Sequence, residues 1–181
     1  MEDEKLTGRE RYRAKAGEYI GDIVYGANDG IITTFAVVAG VAGAELSPTI
    51  VIILGFANLL ADGFSMATSN YLARKSESDY QKTLVEETMA EIKTPIKNAI
   101  ATFLSFVLAG AIPLFPYTIG IKENVFIFAV IATSIALFTI GSLRSLVTRI
   151  RWWIGGFEML AVGTLAALVA YFIGDLLGKI A

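Results

Sequence analysis

The sequence predicts an all-α, polytopic membrane protein with five transmembrane helices. Three observations carry that expectation. The 181 residues are 55% hydrophobic and 18% charged, with a mean hydropathy of +0.61, whereas a soluble domain is roughly 45–50% apolar and about 25% charged. Five separate stretches reach the ~20 apolar residues that a helix rising ~1.5 Å per residue needs to cross a hydrocarbon core ~30 Å thick. Those stretches lack the alternation of apolar and polar residues that a membrane β-barrel requires.

In chain order, residues 1–18 form a polar arm, expected to be short and amphipathic or loosely ordered on the cytoplasmic side. The first span runs from Tyr19 to Ala44; with no small-residue cleavage pattern after it, it reads as a permanent helix and not a removable signal. A tight turn at Glu45 to Ser47 leads to the second span, Pro48 to Ala73. A short acidic connection, residues 74–97, precedes the third span, Pro95 to Leu114. A Pro/Tyr/Lys turn, Pro113 to Glu123, leads to the fourth span, Asn124 to Leu143, and a basic turn to the fifth, Trp152 to Leu177. No linker is long enough to separate globular domains, so residues 19–181 are expected to form one five-helix transmembrane domain.

Orientation follows from the basic residues. Lys5, Arg9, Arg11, Arg13, Lys15, Arg74, Lys75, Lys82, Lys93, Lys97, Arg144, Arg149 and Arg151 fall on one side of the spans, and Lys122 and Lys179 on the other. That bias predicts a cytoplasmic N-terminus and an outside C-terminus. Trp152 and Trp153 beside Arg151 fit an interfacial belt on the cytoplasmic side.

The chain contains no cysteine and no histidine. That excludes disulfides, zinc fingers, thiol nucleophiles and histidine bases. A net charge of −2 leaves no nucleic-acid footprint. Chemistry is left to carboxylates, amides, hydroxyls and thioethers. With no hydroxyl nucleophile beside a base, an enzyme is not expected.

Acids at membrane depth are functional candidates, because a charged side chain there costs about 2.5–3.5 kcal/mol on insertion scales. Asp22 and Asp29 lie seven residues apart on one face of the first span, with Gly26 and Gly30 forming a small-residue patch around them. The second span carries Asn58, Asp62, Met66 and Asn70 at four-residue spacing, a slowly winding polar stripe. Glu158 lies near the start of the fifth. For Asp22 and Glu158, hydration at the interface is the plain alternative; for Met66 it is packing.

Carboxylate and amide oxygens suit hard divalent cations, and one thioether shifts the preference toward Fe²⁺ or Mn²⁺, with Co²⁺ or Zn²⁺ as alternatives. The same acids could exchange a metal for protons, which is a physical basis for antiport. In the connection, Glu77, Asp79, Glu86, Glu87 and Glu91 read as a solvated helix face, with weak metal collection as the minority alternative.

The run from Tyr25 to Ala44, YGANDGIITTFAVVAGVAGA, and the run from Gly55 to Tyr71, GFANLLADGFSMATSNY, resemble the first- and second-helix signatures of the vacuolar iron transporter family. Ala111 to Tyr117 and Gly163 to Gly174 are similar to its later spans. The resemblance covers about Tyr19 to Gly178. It implies a five-helix subunit, a homodimer with the path at the two-fold interface, and export of Fe²⁺ from the cytosol against protons. It further implies that Asp29 is the first-helix metal-binding acid, Met66 the second-helix methionine, and Asp22 the acid two turns earlier. The family's second helix usually carries Glu where this chain has Asn58 and Asn70, and its long glutamate-rich cytoplasmic insert is reduced here to the short acidic connection.

The expectation is therefore a transporter of Fe²⁺, or Mn²⁺, out of the cytosol in exchange for protons. Its metal residues are Asp29, Met66, Asp62, Asn58, Asp22, Asn70 and Glu158. No permanently bound cofactor is expected. The expected partners are the ion, protons, lipid and a second copy, and the expected location is the cell membrane of a prokaryote. A passive cation channel and a non-transporting scaffold are the alternatives.

Overall fold

The computed structural model describes the backbone of residues 8–84, 95–121, 123–148 and 151–180, and side chains within 19–80, 83, 95–121, 123–145 and 151–180. Helices account for nearly all of it, and among the described residues no strand occurs. The order is α1 (Gly8–Gly43), α2 (Pro48–Leu84), α3 (Pro95–Gly110), a 3₁₀ turn (Ile112–Leu114), α4 (Phe115–Thr118), α5 (Val125–Thr148) and α6 (Trp152–Gly178). Five spans are long and apolar enough to cross a membrane: Tyr19–Gly43, Pro48–Tyr80, Pro95–Thr118, Val125–Ser145 and Trp152–Gly178.

Local chemistry sets the boundaries. α1 ends where Glu45 takes a positive φ of 55°, with its N–H bonded to the Ala42 carbonyl and that of Leu46 to Val41, a left-handed cap that satisfies the last carbonyls. Pro48 opens α2, where a missing N–H leaves nothing unsatisfied, and Ser47 Oγ accepts the Thr49 N–H at 3.3 Å. Pro113 interrupts the third span and reshapes its end into the 3₁₀ turn and α4.

Two elements run further than expected. The backbone of residues 8–18 is helical and continuous with α1, so from Gly8 onward the arm is an extension of the first span. α2 continues past Ala73 to Leu84 and carries Glu77 and Asp79 on that extension. Glu86, Glu87 and Glu91 lie outside the described residues, as do residues 1–7.

α1 sits at the centre and packs against α2, α3, α5 and α6. Its glycines make this possible: a methyl group at Gly26 would collide with Ser105 and Thr102, and one at Gly30 with the Phe106 carbonyl. Backbones that approach so closely gain dispersion contacts, which hold helices together where lipid removes the hydrophobic drive. Phe35, Val38, Val51, Leu59, Phe106 and Leu114 form one buried cluster, against which Met66 packs; Ala27, Ile31, Ala109, Leu137 and Met159 form another. α2 meets α1 and α3, and its far face exposes Ile53, Phe56, Leu60, Phe64 and Leu72.

Candidate functional site

α1 and α2 run antiparallel, so polar residues late in α2 meet polar residues early in the membrane part of α1. Asp22 is 7% exposed. Nη2 of Arg74 donates to both of its oxygens, at 2.8 and 2.9 Å, and the Nδ2 atoms of Asn70 and Asn98 donate at 3.0 and 2.5 Å. Asn70 also donates to the Thr102 hydroxyl at 2.9 Å and accepts from Arg74 Nε at 3.1 Å. A buried carboxylate held by a guanidinium and two amides is neutralised and saturated with donors. This knot ties α1, α2 and α3 together at one end of the bundle.

Two turns along α1, Asp29 has a different neighbour. It is partly buried and interacts electrostatically with Asp62 of α2. Among the described residues neither carboxylate has an ion-pair or side-chain hydrogen-bond partner. Two acids in each other's field without an opposing cation form a site that attracts a metal ion or a proton. Met66, one turn from Asp62, lies against the core cluster and on the wall of a cavity of about 530 Å³, together with Asp22, Tyr25, Asn70, Arg74 and Glu77.

The sequence candidates thus divide. Asp29 and Asp62 lie within electrostatic reach of each other. Met66 and Asn70 share a cavity with Asp22, while the oxygens of Asp22 are occupied by Arg74, Asn70 and Asn98. Asn58 is partly buried with no side-chain partner among the described residues. Glu158 is surface-exposed and accepts from Arg144 Nη2 at 2.6 Å. Among the described residues no group of three or more acids assembles within one chain.

Arg74 and Asn98 were not sequence candidates. Arg74 continues the four-residue stripe of Asn58, Asp62, Met66 and Asn70 by one more step, a signal masked by its position at the expected end of the span. Asn98 and Thr102 form an i, i+4 polar pair on the buried face of α3, a short amide and hydroxyl pair with no acid beside it in the sequence. Asn28, beside Asp29, keeps a buried amide oxygen without a partner.

The sequence profile of the VIT family matches residues 20–95 and 85–175, most of the chain. The chain belongs to the VIT family. Several curated relatives align with it over most of their length. Vacuolar iron transporter 1 of Arabidopsis thaliana is 27% identical over 230 residues, covering 94% of this chain and 92% of the relative. Vacuolar iron transporter 1 of Oryza sativa subsp. japonica is 26% identical over 212 residues, covering 86% and 84%. Vacuolar iron transporter homolog 3 of Arabidopsis thaliana is 28% identical over 173 residues, covering 92% and 86%.

Those alignments differ in shape. The one with the rice protein is longer than the whole 181-residue chain although it uses only 86% of it, so that relative carries residues inside the aligned region that this VIT-family chain lacks. The one with homolog 3 is close to gapless. The family profile itself matches in two pieces that meet at residues 85–95, the connection between α2 and α3.

Proposed function

We propose that this VIT-family chain exports Fe²⁺, with Mn²⁺ as a second substrate, from the cytosol in exchange for protons, as a homodimer. The ion binds at Asp29, Asp62 and Met66. The N-terminus, and the end of the bundle carrying Arg74 and Glu77, face the cytosol, as the basic bias of the sequence favours. That polarity is the same whether the membrane bounds a prokaryotic cell or a vacuole.

The observation that carries this reading is that Asp29 and Asp62, on two neighbouring membrane-spanning helices, lie within each other's electrostatic field, with no cation opposing them among the described residues. A charged acid is expensive at that depth unless it is compensated. A divalent ion compensates both acids at once; protons compensate them singly, so the two occupants exclude one another and exchange follows. The Met66 thioether favours Fe²⁺ over Mg²⁺ and Ca²⁺. One chain supplies two carboxylates and one sulfur, fewer ligands than such an ion takes. The exposed apolar face of α2, beside Asp62, is where a second copy would bring the same set across a two-fold axis. Glu158, exposed and paired with Arg144, is left outside the site. The names of the relatives, all vacuolar iron transporters or homologues, support iron as the cargo.

The test is uptake of Fe²⁺ and Mn²⁺ into proteoliposomes with and without an imposed pH gradient. Metal movement is expected to change the lumenal pH in the opposite sense to the proton gradient it uses. Asp29→Asn and Asp62→Asn are expected to lower flux at least about a hundredfold, as for groups acting together at one site. Met66→Leu, similar in volume, is expected to fold normally and to lose Fe²⁺ selectivity over Mg²⁺. Full flux in both Asp variants would discard the site, and flux indifferent to the pH gradient would reduce the protein to a channel.

A further inference from the structure

The Asp22–Arg74 pair plays no part in the carboxylate site above, yet it lines the cavity that Met66 also lines. Met66, Asn70 and Arg74 recur at four-residue spacing and Glu77 follows at three, so these side chains climb one flank of α2 over about 16 Å. All four line the same cavity, with Asp22 and Tyr25 across from them on α1. Within the pair the Arg74 side chain is the more exposed partner, 23% against 9% for Asp22. The guanidinium therefore sits on the open side of the carboxylate, while Asn98 holds it from the buried side.

A cation moving along this cavity from Glu77 toward Met66 meets a fixed positive charge at Asp22, a buried acid on its wall. To use that acid it must replace the guanidinium. Na⁺ or K⁺ brings the same charge as Arg74 without its directed hydrogen bonds, and loses. A divalent ion brings about twice the Coulomb attraction at equal distance, and competes. We propose that Arg74 is a selectivity gate: by occupying Asp22 it bars monovalent cations from the cavity and yields only to divalent ones, with Glu77, one turn along the same helix, receiving the displaced guanidinium.

This inference rests on the transport reading above, and its test separates the two. Mn²⁺ uptake into proteoliposomes is compared in K⁺ medium and in medium where N-methylglucamine replaces K⁺. The wild type is expected to take up Mn²⁺ equally in both. R74Q leaves Asp22 open, and K⁺ is expected to suppress its uptake about tenfold, while R74K, which keeps the charge, retains most of the wild-type insensitivity. The double variant D22N/R74Q keeps the shape of the pair without any buried charge, so it supplies a second readout that does not depend on the folding of R74Q. It is expected to be insensitive to K⁺ and about tenfold slower than the wild type, because the relay carboxylate is gone. R74Q uptake as indifferent to K⁺ as the wild type, or a double variant at the wild-type rate, overturns the gate while leaving the transport reading standing. A wild type that moves neither Mn²⁺ nor Fe²⁺ in either medium overturns both.

Discussion

Asp22 and Asp29 stand two turns apart on one helix and have opposite electrostatic fates. Asp22 meets Arg74, Asn70 and Asn98 and is neutralised; Asp29 meets another acid, Asp62. Nothing in the residue type or in the face of α1 distinguishes them. The difference lies in what α2 and α3 present opposite each one. Removing an acid that donors surround leaves them unsatisfied, while two like charges in one field repel each other until a cation or a proton compensates them. One end of the α1–α2 contact thus holds its acid with donors, and the other leaves two acids in each other's field.

Breaking the holding end gives the largest stability effect. Asp22→Ala removes the buried carboxylate that Arg74, Asn70 and Asn98 all donate to, and is expected to destabilise the protein by about 3 kcal/mol, the low end for a broken buried pair because Arg74 keeps some solvent access. The unfolding midpoint in mild detergent measures it. Asn98→Ala removes one donor and leaves the ion pair in place; a loss of about 2 kcal/mol is expected, as for a hydrogen bond to a charged group, read by the same unfolding assay with metal uptake still detectable. The smallest effect belongs to a third carboxylate, exposed at the surface and outside the proposed site. Glu158→Gln loses an exposed contact to Arg144 and should change stability by less than about 1 kcal/mol and leave Mn²⁺ flux unaltered. A Glu158→Gln variant without transport would place that acid among the binding residues and redraw the division.

Much of this was legible beforehand. The five spans were readable because ~20 apolar residues have few other uses, and the second-helix stripe because four-residue spacing keeps side chains on one slowly turning flank. Helix ends were less legible. α2 continues to Leu84 and α1 begins by Gly8, since a helix does not stop where hydrophobicity stops: residues such as Arg74 and Lys75 propagate it in water as readily as Leu does in lipid. Arg74 was therefore counted as an orientation signal when it is also the partner of an acid 52 residues away.

From composition and spacing alone, this chain was determined to be a five-span helical membrane protein with acids, amides and one thioether ranged along its first two helices. Periodicity and hydropathy are properties of a single segment, so one strand of sequence suffices to read them. Which acid is neutralised and which is left facing another acid was decided only by the tertiary structure. That depends on the register of α2 against α1 and on the side chains of α3, and charge interactions fall off too steeply with distance to be assigned before the helices are placed.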